Sequence, residues 1–537
     1  MRMLLLSLLL ATSIVADANV DVCVYGGTSS GVIAACAVAR AGKTVLLIEP
    51  GRHLGGLSSG GLGQTDIGNK MVIGGMSREF YRRIGKEQGQ AESWTFTPST
   101  AEKVFGGFIA ENKVRVLKEY RITQVLKTGA RIAKIICEHA AVDDYNAPVD
   151  KGGEPITVEA RQYIDASYEG DLMALAKVSY TVGREANSQY GETLNGVCAR
   201  TPKHQFDVRV DPFNTPGDAA SGLIPLIKEM NPGTPGEGDK RVQAYNFRLC
   251  LTNDPEDRLP ITAPPGYDAK QYELLARYIA AMGAAKKPMT EQTFMDWHFM
   301  APDKKKTDIN NNGPVSTDFI GMSWDYPDAD YATRGKIWHE TRDYDQGLIY
   351  FLATDPRSPP RVHDVFTRWG LCKSEFKDTG GWPHQMYVRE ARRMVSDYVV
   401  TQAVCEHKQT ADDSVGMAAY NMDSHNCNRV VKEGSAINEG DVQVAPSGPY
   451  PISLRAIVPK AAEADNLIVP VCLSATHISY GSIRMEPVFM VLGQSAALLA
   501  CQAIDEGKPV QRVDVKQLQE ALLDSGQILQ YAAPAKK

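Results

Sequence analysis

VDVCVYGGTSSGVIAACAVARAGKTVLLIE, residues 20–49, reads as a strand, a glycine turn, a helix and a second strand closing on a carboxylate. Val20, Val22 and Val24, with Cys23 and Tyr25, form a short apolar run of the kind buried on both faces of a parallel sheet. Gly26 and Gly27 interrupt it, and the small-residue run that follows to Arg40 suits a helix lying close on a sheet, nearest at Gly31. Such a helix start offers unpaired N–H groups and the positive end of a dipole to a pyrophosphate, while an acid about 20 residues on suits a ribose hydroxyl. Glu49 stands 18 positions after Gly31. Gly26, Thr28 and Gly31 fill the three places of the G-x-G-x-x-G fingerprint, with threonine for the middle glycine. The unit therefore predicts dinucleotide binding within an α/β fold.

Outward from this unit, residues 50–66 are glycine-rich, which lets backbone lie against a flat ligand, and Arg52 brings a cation towards the phosphates. The same loop contains Gly56-Leu57-Ser58-Ser59-Gly60, formally G-x-S-x-G, but without the strand and helix that a nucleophile elbow requires. Residues 75–88 and 99–112 read as helices, and 114–117, 122–128, 131–139 and 157–164 as strands. The last strand runs into Asp165-Ala166-Ser167-Tyr168-Glu169-Gly170-Asp171 and a helix over 172–178, a second place where backbone can approach a cofactor. From about residue 202 turn formers dominate, a helix over 271–285 is the clearest element, and 384–405 follows helical spacing with Arg389, Arg392 and Arg393. Trp297, Trp324, Trp338, Trp369 and Trp382 concentrate here, as core rings or as a cap that stacks on substrate. Near the end, 466–472 reads as a buried strand, 473–483 as a loop with His477 and Tyr480, and a small-residue helix begins at about Arg484.

The 537-residue chain carries a net charge of −6 and no basic tract longer than three lysines, which argues against a nucleic-acid partner. Arg2, the apolar run 4–15 and Ala16-Asp17-Ala18 predict a secretory leader, hence an exported, periplasmic or extracellular protein. No later stretch reaches the ~18 apolar residues of a membrane span. Cys23, Cys36, Cys472 and Cys501 fall in apolar runs and there is no C-x-x-C pair, so the thiols are expected to be mostly free and buried; one histidine with one aspartate in 416–428 is too few for a metal, so no metal site is expected.

The pieces VYGGTSSG, LGGLSSGG, YIDASYEGDLMALA, YVREARRMVSDYV, SVGMAAYNMDSHN, PYPISLRAIVPK and LSATHISYGSIRMEPVFMVLGQSAA resemble the FAD-dependent oxidoreductases of glutathione-reductase-type Rossmann fold. More narrowly they resemble a secreted bacterial subgroup, some of whose members carry a xanthan lyase label, and Thr28 agrees with that subgroup. The resemblance implies an FAD domain built from a βαβ unit and a three-stranded meander. That domain is discontinuous, over 19–200 and 446–505, with a leader at 1–18, a large α+β substrate or cap domain at 201–445, and a C-terminal helix and tail at 506–537. It implies that Gly26, Gly27, Ser30 and Gly31 hold the pyrophosphate and Glu49 the ribose. Arg52, Gly55 and Gly56 would line the phosphate and flavin side, and Val125 would meet adenine. Ala166, Ser167 and Asp171 would flank the cofactor, and Tyr480, Gly481, Ser482 and Ile483 would lie beside the isoalloxazine.

A flavin that oxidises a C–H bond beside a hydroxyl or amine needs a base and positive charge near N1. His477 is the expected base and Arg484 the expected cation; His425, Tyr387, Arg389 and Asp66 are further candidates on the substrate side, and His53 could attach flavin covalently. The expected activity is hydride transfer from a small polar substrate, a sugar or sugar acid, to flavin N5. With one dinucleotide fingerprint, the electrons would leave to oxygen or a carrier. The alternatives are a polysaccharide lyase or hydrolase with a structural flavin, and a non-enzymatic dinucleotide-binding protein.

Overall fold

The computed structural model describes residues 18–198, 201 and 203–531; the expected leader, apart from Ala18, lies outside the described residues. Strand β1 (Ala18–Tyr25), helix α1 (Ser29–Arg40) and strand β2 (Val45–Glu49) form the opening unit as its sequence predicts. β1 pairs in parallel with β2, which pairs in parallel with β3 (Arg115–Lys118). On its other side β1 pairs with β6 (Pro155–Asp165), an 11-residue strand with two kinds of partner. Its first part is antiparallel to β5 (Arg131–His139), which pairs with β4 (Tyr120–Thr128) to complete the meander. Helices α2 (Gly75–Glu87) and α3 (Pro98–Glu111) also stand where the sequence puts them.

A second, five-stranded antiparallel sheet holds β7 (Leu249–Thr252), β8 (Arg258–Leu259), β9 (Met295–Phe299), β10 (Lys306–Asn311) and β11 (Gly370–Cys372), in the order β8-β11-β7-β10-β9. Between β10 and β11 runs α4 (Tyr331–Thr354), 24 residues capped by Asp330, whose carboxylate accepts the Thr333 N–H. β12 (Leu467–Ile468) then returns to the first sheet, where Leu467 pairs with Tyr163 and Ile468 with Ile164 in the last part of β6. After it come α5 (His477–Ile483), whose cap is Thr476, and the buried α6 (Glu486–Glu506). Gly493 lets α6 approach α1: a Cβ there would lie 2.3 Å from the Ser30 carbonyl oxygen. α6 is long and apolar enough to cross a membrane, but it is 89% buried, as a core helix is.

Three expectations change. Residues 384–405 are not a helix; the only regular pieces are Arg393–Met394 and Gln402–Cys405. The arginines that suggested a polar helix face are buried and ion-paired with distant elements, Arg389 with Asp318 and Arg393 with Glu185, so tertiary pairing sets the backbone. The closing strand shortens to two residues, and its expected loop is partly helical as α5. The helix after β6 spans only Asp171–Leu175.

Candidate active site

The sheet ends at a cleft lined by Gly26 and Thr28 after β1, Glu49 and Gly51 at β2, and Ser167, Glu169 and Asp171 after β6. Its far wall is Tyr331, Arg334 and Trp338 of α4 with Tyr326, and Arg121, Asn146 and Gln385 close the sides. The space, open mouth included, is about 730 Å³.

The glycine turn is as tight as its sequence implies. Gly26 has φ +94°, and a Cβ there would lie 2.5 Å from the Ser167 nitrogen; a Cβ on Gly31 would lie 1.8 Å from the Gly26 carbonyl oxygen. Thr28 gains a physical reason: it caps α1, its Oγ1 accepting the Gly31 N–H at 3.2 Å and donating to the Ala166 carbonyl at 2.7 Å. A glycine could do neither. Glu49 accepts the N–H groups of Gly27 and Gly51, each at 2.6 Å, and burial pushes its carboxyl up to about 7 against those two bonds. Asp171 behaves oppositely: despite its burial, the Arg334 and Arg392 guanidinium groups hold it at about 2.

Of the other residues expected at the cofactor, Gly27, Ser30, Gly31 and Ala166 are buried and do not line the cleft. Arg52 points elsewhere: its Nη2 donates to the Asp143 carbonyl at 2.9 Å, which fixes the loop that carries Asn146. Gly55 donates to the Gly27 carbonyl at 2.7 Å, and a Cβ on Gly56 would meet the Tyr168 hydroxyl at 2.2 Å. Val125 does not line the cleft; Arg121 does, because four residues of strand carry Val125 ~13 Å further along β4. Tyr480, Gly481, Ser482 and Ile483 lie fully buried in α5, packed on residues 420–423, and line neither this cleft nor the pocket beyond it. Sequence reasoning missed Arg121, Asn146 and Arg334, and named Trp338 only among five tryptophans of a core or cap, not at the cofactor. Arg334 and Trp338 sit on α4, whose start was readable in Asp330 but whose burial on several sides blurs the helical period.

Beside the cleft lies a smaller, narrow pocket, lined among others by Tyr168, Tyr387, Arg389, Arg484 and Glu486. Tyr168 lines both spaces. Its hydroxyl donates to Glu486 Oε1 at 2.7 Å and accepts the Leu57 N–H at 2.8 Å. Arg484 Nη1 donates to the Tyr387 hydroxyl at 2.8 Å and Nη2 to Asp423 Oδ2 at 2.9 Å. Burial works against the Asp423 charge, yet His425 and Arg484 hold it at about 2. His425 Nδ1 is 2.8 Å from Asp318, which also pairs with Arg389. Asp66 reaches this cluster through the Tyr420 hydroxyl at 3.1 Å.

His477 is placed otherwise than expected. Its Nδ1 faces Glu390 at 2.8 Å, its Nε2 faces Ser424 Oγ at 2.9 Å, and its amide donates to Glu185. Both ring nitrogens are committed, so it braces α5 and does not line the pocket. Ser58 donates to Glu486 at 3.1 Å, the bond of a structural hydroxyl. His53 is held between Glu102 at 2.8 Å and Asp378 at 3.0 Å, outside the cleft lining. Among the described residues, potential ligand atoms of His53, Glu102 and His384 gather within 4.8 Å, but the two imidazoles stack with 2° between their planes. Their in-plane lone pairs run parallel rather than converging on an ion.

Residues 21–522 match the family described as FAD dependent oxidoreductase. The chain belongs to that family. This oxidoreductase is similar over 221 residues, at 27% identity, to the thiamine thiazole synthase of Methanococcus aeolicus; the match covers 40% of this chain and 72% of that one. Among solved structures it is similar to a geranylgeranyl bacteriochlorophyll reductase-like protein of Thermoplasma acidophilum, at TM-score 0.36 and 10% identity, over 95% of this chain and 85% of the other. It is also similar to the OxyS anhydrotetracycline hydroxylase of Streptomyces rimosus, at TM-score 0.24 and 11% identity, over 35% of this chain and 41% of that one. The oxidoreductase thus spans less than half the length of the hydroxylase.

The donor set fits FAD. Gly26 and Thr28, at the start of a 12-residue helix, suit a pyrophosphate, and the Glu49 carboxylate suits a ribose. The indole N–H of Trp338 is buried without a partner at the cleft wall, a donor that a bound nucleotide can satisfy.

Proposed function

We propose that this oxidoreductase is an exported oxidase or dehydrogenase that oxidises a small polar molecule, a sugar or sugar acid, at a C–H bond beside a hydroxyl or amine. The single observation behind this reading is that Tyr168 lines both the nucleotide cleft and the narrow pocket, so Arg484 and Tyr387 adjoin the space that a cofactor would fill. When bound, the flavin supplies the two-electron acceptor. The chain supplies the rest. Thr28 and Gly26 shape the phosphate turn, Glu49 takes the ribose hydroxyl, and Arg334 and Trp338 close the cleft. In the inner pocket Asp423 fixes the Arg484 fork, which directs positive charge and the Tyr387 hydroxyl towards the substrate oxygen. Asp318 holds the proton on His425 Nδ1, and Nε2 faces the Asp423 carboxylate 3.6 Å away, which His425 and Arg484 together keep ionised. Electrons leave to oxygen or to a carrier protein.

The test is anaerobic bleaching of the purified yellow protein by a panel of sugars, uronic acids, hydroxy acids and amines. Bleaching by a sugar or uronic acid is expected. Bleaching by dithionite but by no sugar or sugar acid would overturn the substrate class. For export, cells that express the chain with its own first eighteen residues are fractionated, and recovery in the cytoplasm alone would remove that part of the reading.

A further inference from the structure

Cys250 and Cys372 face each other across neighbouring strands. The β7–β11 ladder pairs Leu251 with Leu371 and Thr252 with Gly370, and the same antiparallel register puts residue 250 opposite residue 372. Their sulfurs are 3.5 Å apart. Opposed residues on antiparallel strands have Cα atoms ~4.5–5.5 Å apart, inside the ~4.4–6.8 Å window of disulfides. Both thiols are fully buried, enclosed by Met300 and Phe376. They are thus already aligned for a bond that needs only side-chain rotation.

We propose that in the exported protein Cys250 and Cys372 form a disulfide that staples β7 to β11. The two thiols form one S–S bond, releasing two protons and passing two electrons to the disulfide of an exported thiol oxidase, which is reduced to a dithiol. Because both sulfurs are shielded in the folded protein, the bond forms while the chain is still folding. The staple matters for its position. α4, with Tyr331, Arg334 and Trp338, lies between the two cysteines in sequence, so the crosslink closes the loop that carries the far wall of the nucleotide cleft. Closing so long a loop restricts the unfolded chain most. Met300 and Phe376 extend the effect to the glycine-rich loop: a Cβ on Gly63 would meet the Met300 sulfur at 2.0 Å, and Phe376 packs edge-on against His384, on which His53 stacks.

The inference rests on the export part of the proposed function, and the experiment separates the two. The full chain behind a leader known to export is produced in the bacterial periplasm, denatured, alkylated without reductant, and compared with a reduced sample. Of the ten cysteines, eight are expected to be alkylated, with one linked peptide joining 250 to 372. Ten alkylated thiols, or a bond between other cysteines, would overturn the disulfide whether or not the chain's own leader exports it. A second measurement reads its role: reduction in denaturant followed by refolding in reductant lowers the thermal transition of the protein but leaves that of Cys250→Ser/Cys372→Ser unmoved. An equal drop in both would remove the structural role.

Discussion

The Tyr168 hydroxyl stands between a carboxylate and an amide, giving its proton to Glu486 at 2.7 Å and taking that of Leu57 at 2.8 Å. One side chain from the end of β6 thereby joins the glycine-rich loop to the start of α6. Burial raises the Glu486 carboxyl, which the Tyr168 and Ser58 hydroxyls oppose. Tyr168→Phe leaves the Leu57 N–H and one carboxylate oxygen without a partner, a loss of ~1–3 kcal/mol. Urea titration should show that loss together with weaker FAD retention; an unchanged midpoint would mean that water replaces the hydroxyl.

Gly31 is the tightest point of the nucleotide turn. A methyl group 1.8 Å from the Gly26 oxygen cannot be accommodated without moving β1 or α1, so Gly31→Ala should cost ~1–3 kcal/mol or more and yield colourless protein. Glu49→Gln is milder in shape, but its amide NH2 must face one of two N–H groups. It should lower FAD affinity measurably by fluorescence titration while the apoprotein still folds.

Arg484 and His477, seven residues apart, separate chemistry from support. Arg484→Lys keeps a charge beside Asp423 but not the fork that also reaches Tyr387, and should slow substrate-dependent bleaching by ~10²-fold with flavin retained. His477→Asn should instead lower thermal stability, leaving the bleaching rate of the folded fraction nearly unchanged. Similar rate losses in both would return His477 to the chemistry.

The FAD-free protein should lose stability between about pH 6.5 and 8. Burial raises Glu49 and Asp441 to about 7, above the unfolded carboxyl range, so the cost of ionising them when folded accumulates from about pH 4.5 to about 7, and only its last part falls above 6.5. His53 is raised against its burial by Glu102 and Asp378, and His425 against its burial and Arg389 by Asp318 and Asp423; their contribution is full below about 6.5 and is lost as pH rises through the folded values. His204 and His384, held neutral mainly by burial, act the opposite way only below that window. Thermal melts at pH 6.5 and 8 should therefore fall, and less steeply in His53→Asn. A rise would contradict this assignment.

Residues 20–49 disclose their fold because every local signal agrees: alternating valines, a turn that only glycine fits, and small residues where helix meets sheet. The helices at 75–87 and 98–111 and the 131–139 strand are legible for the same reason. Residues 384–405 mislead because helical spacing of arginines also arises when an extended chain sends guanidinium groups to separate buried carboxylates. Val125 lies on the strand that brings Arg121 to the cleft but further along it. Tyr480 is buried in α5 and lines neither space, because the placement of α5 depends on partners such as Glu185 and Glu390 that are distant in sequence. The bonds that occupy His477 come from residues 390 and 424, which no local pattern connects to it.

The two-part pairing of β6 constrains when the molecule can become itself. Residues 155–158 find β5 at once, whereas Tyr163 and Ile164 wait for Leu467 and Ile468, some 300 residues later. At ~5–20 residues per second, synthesis leaves that edge open for roughly 15–60 s. During that interval the emerging chain exposes unpaired backbone beside its nucleotide turn, a natural point of attachment for a chaperone and the place where premature pairing with another copy would begin.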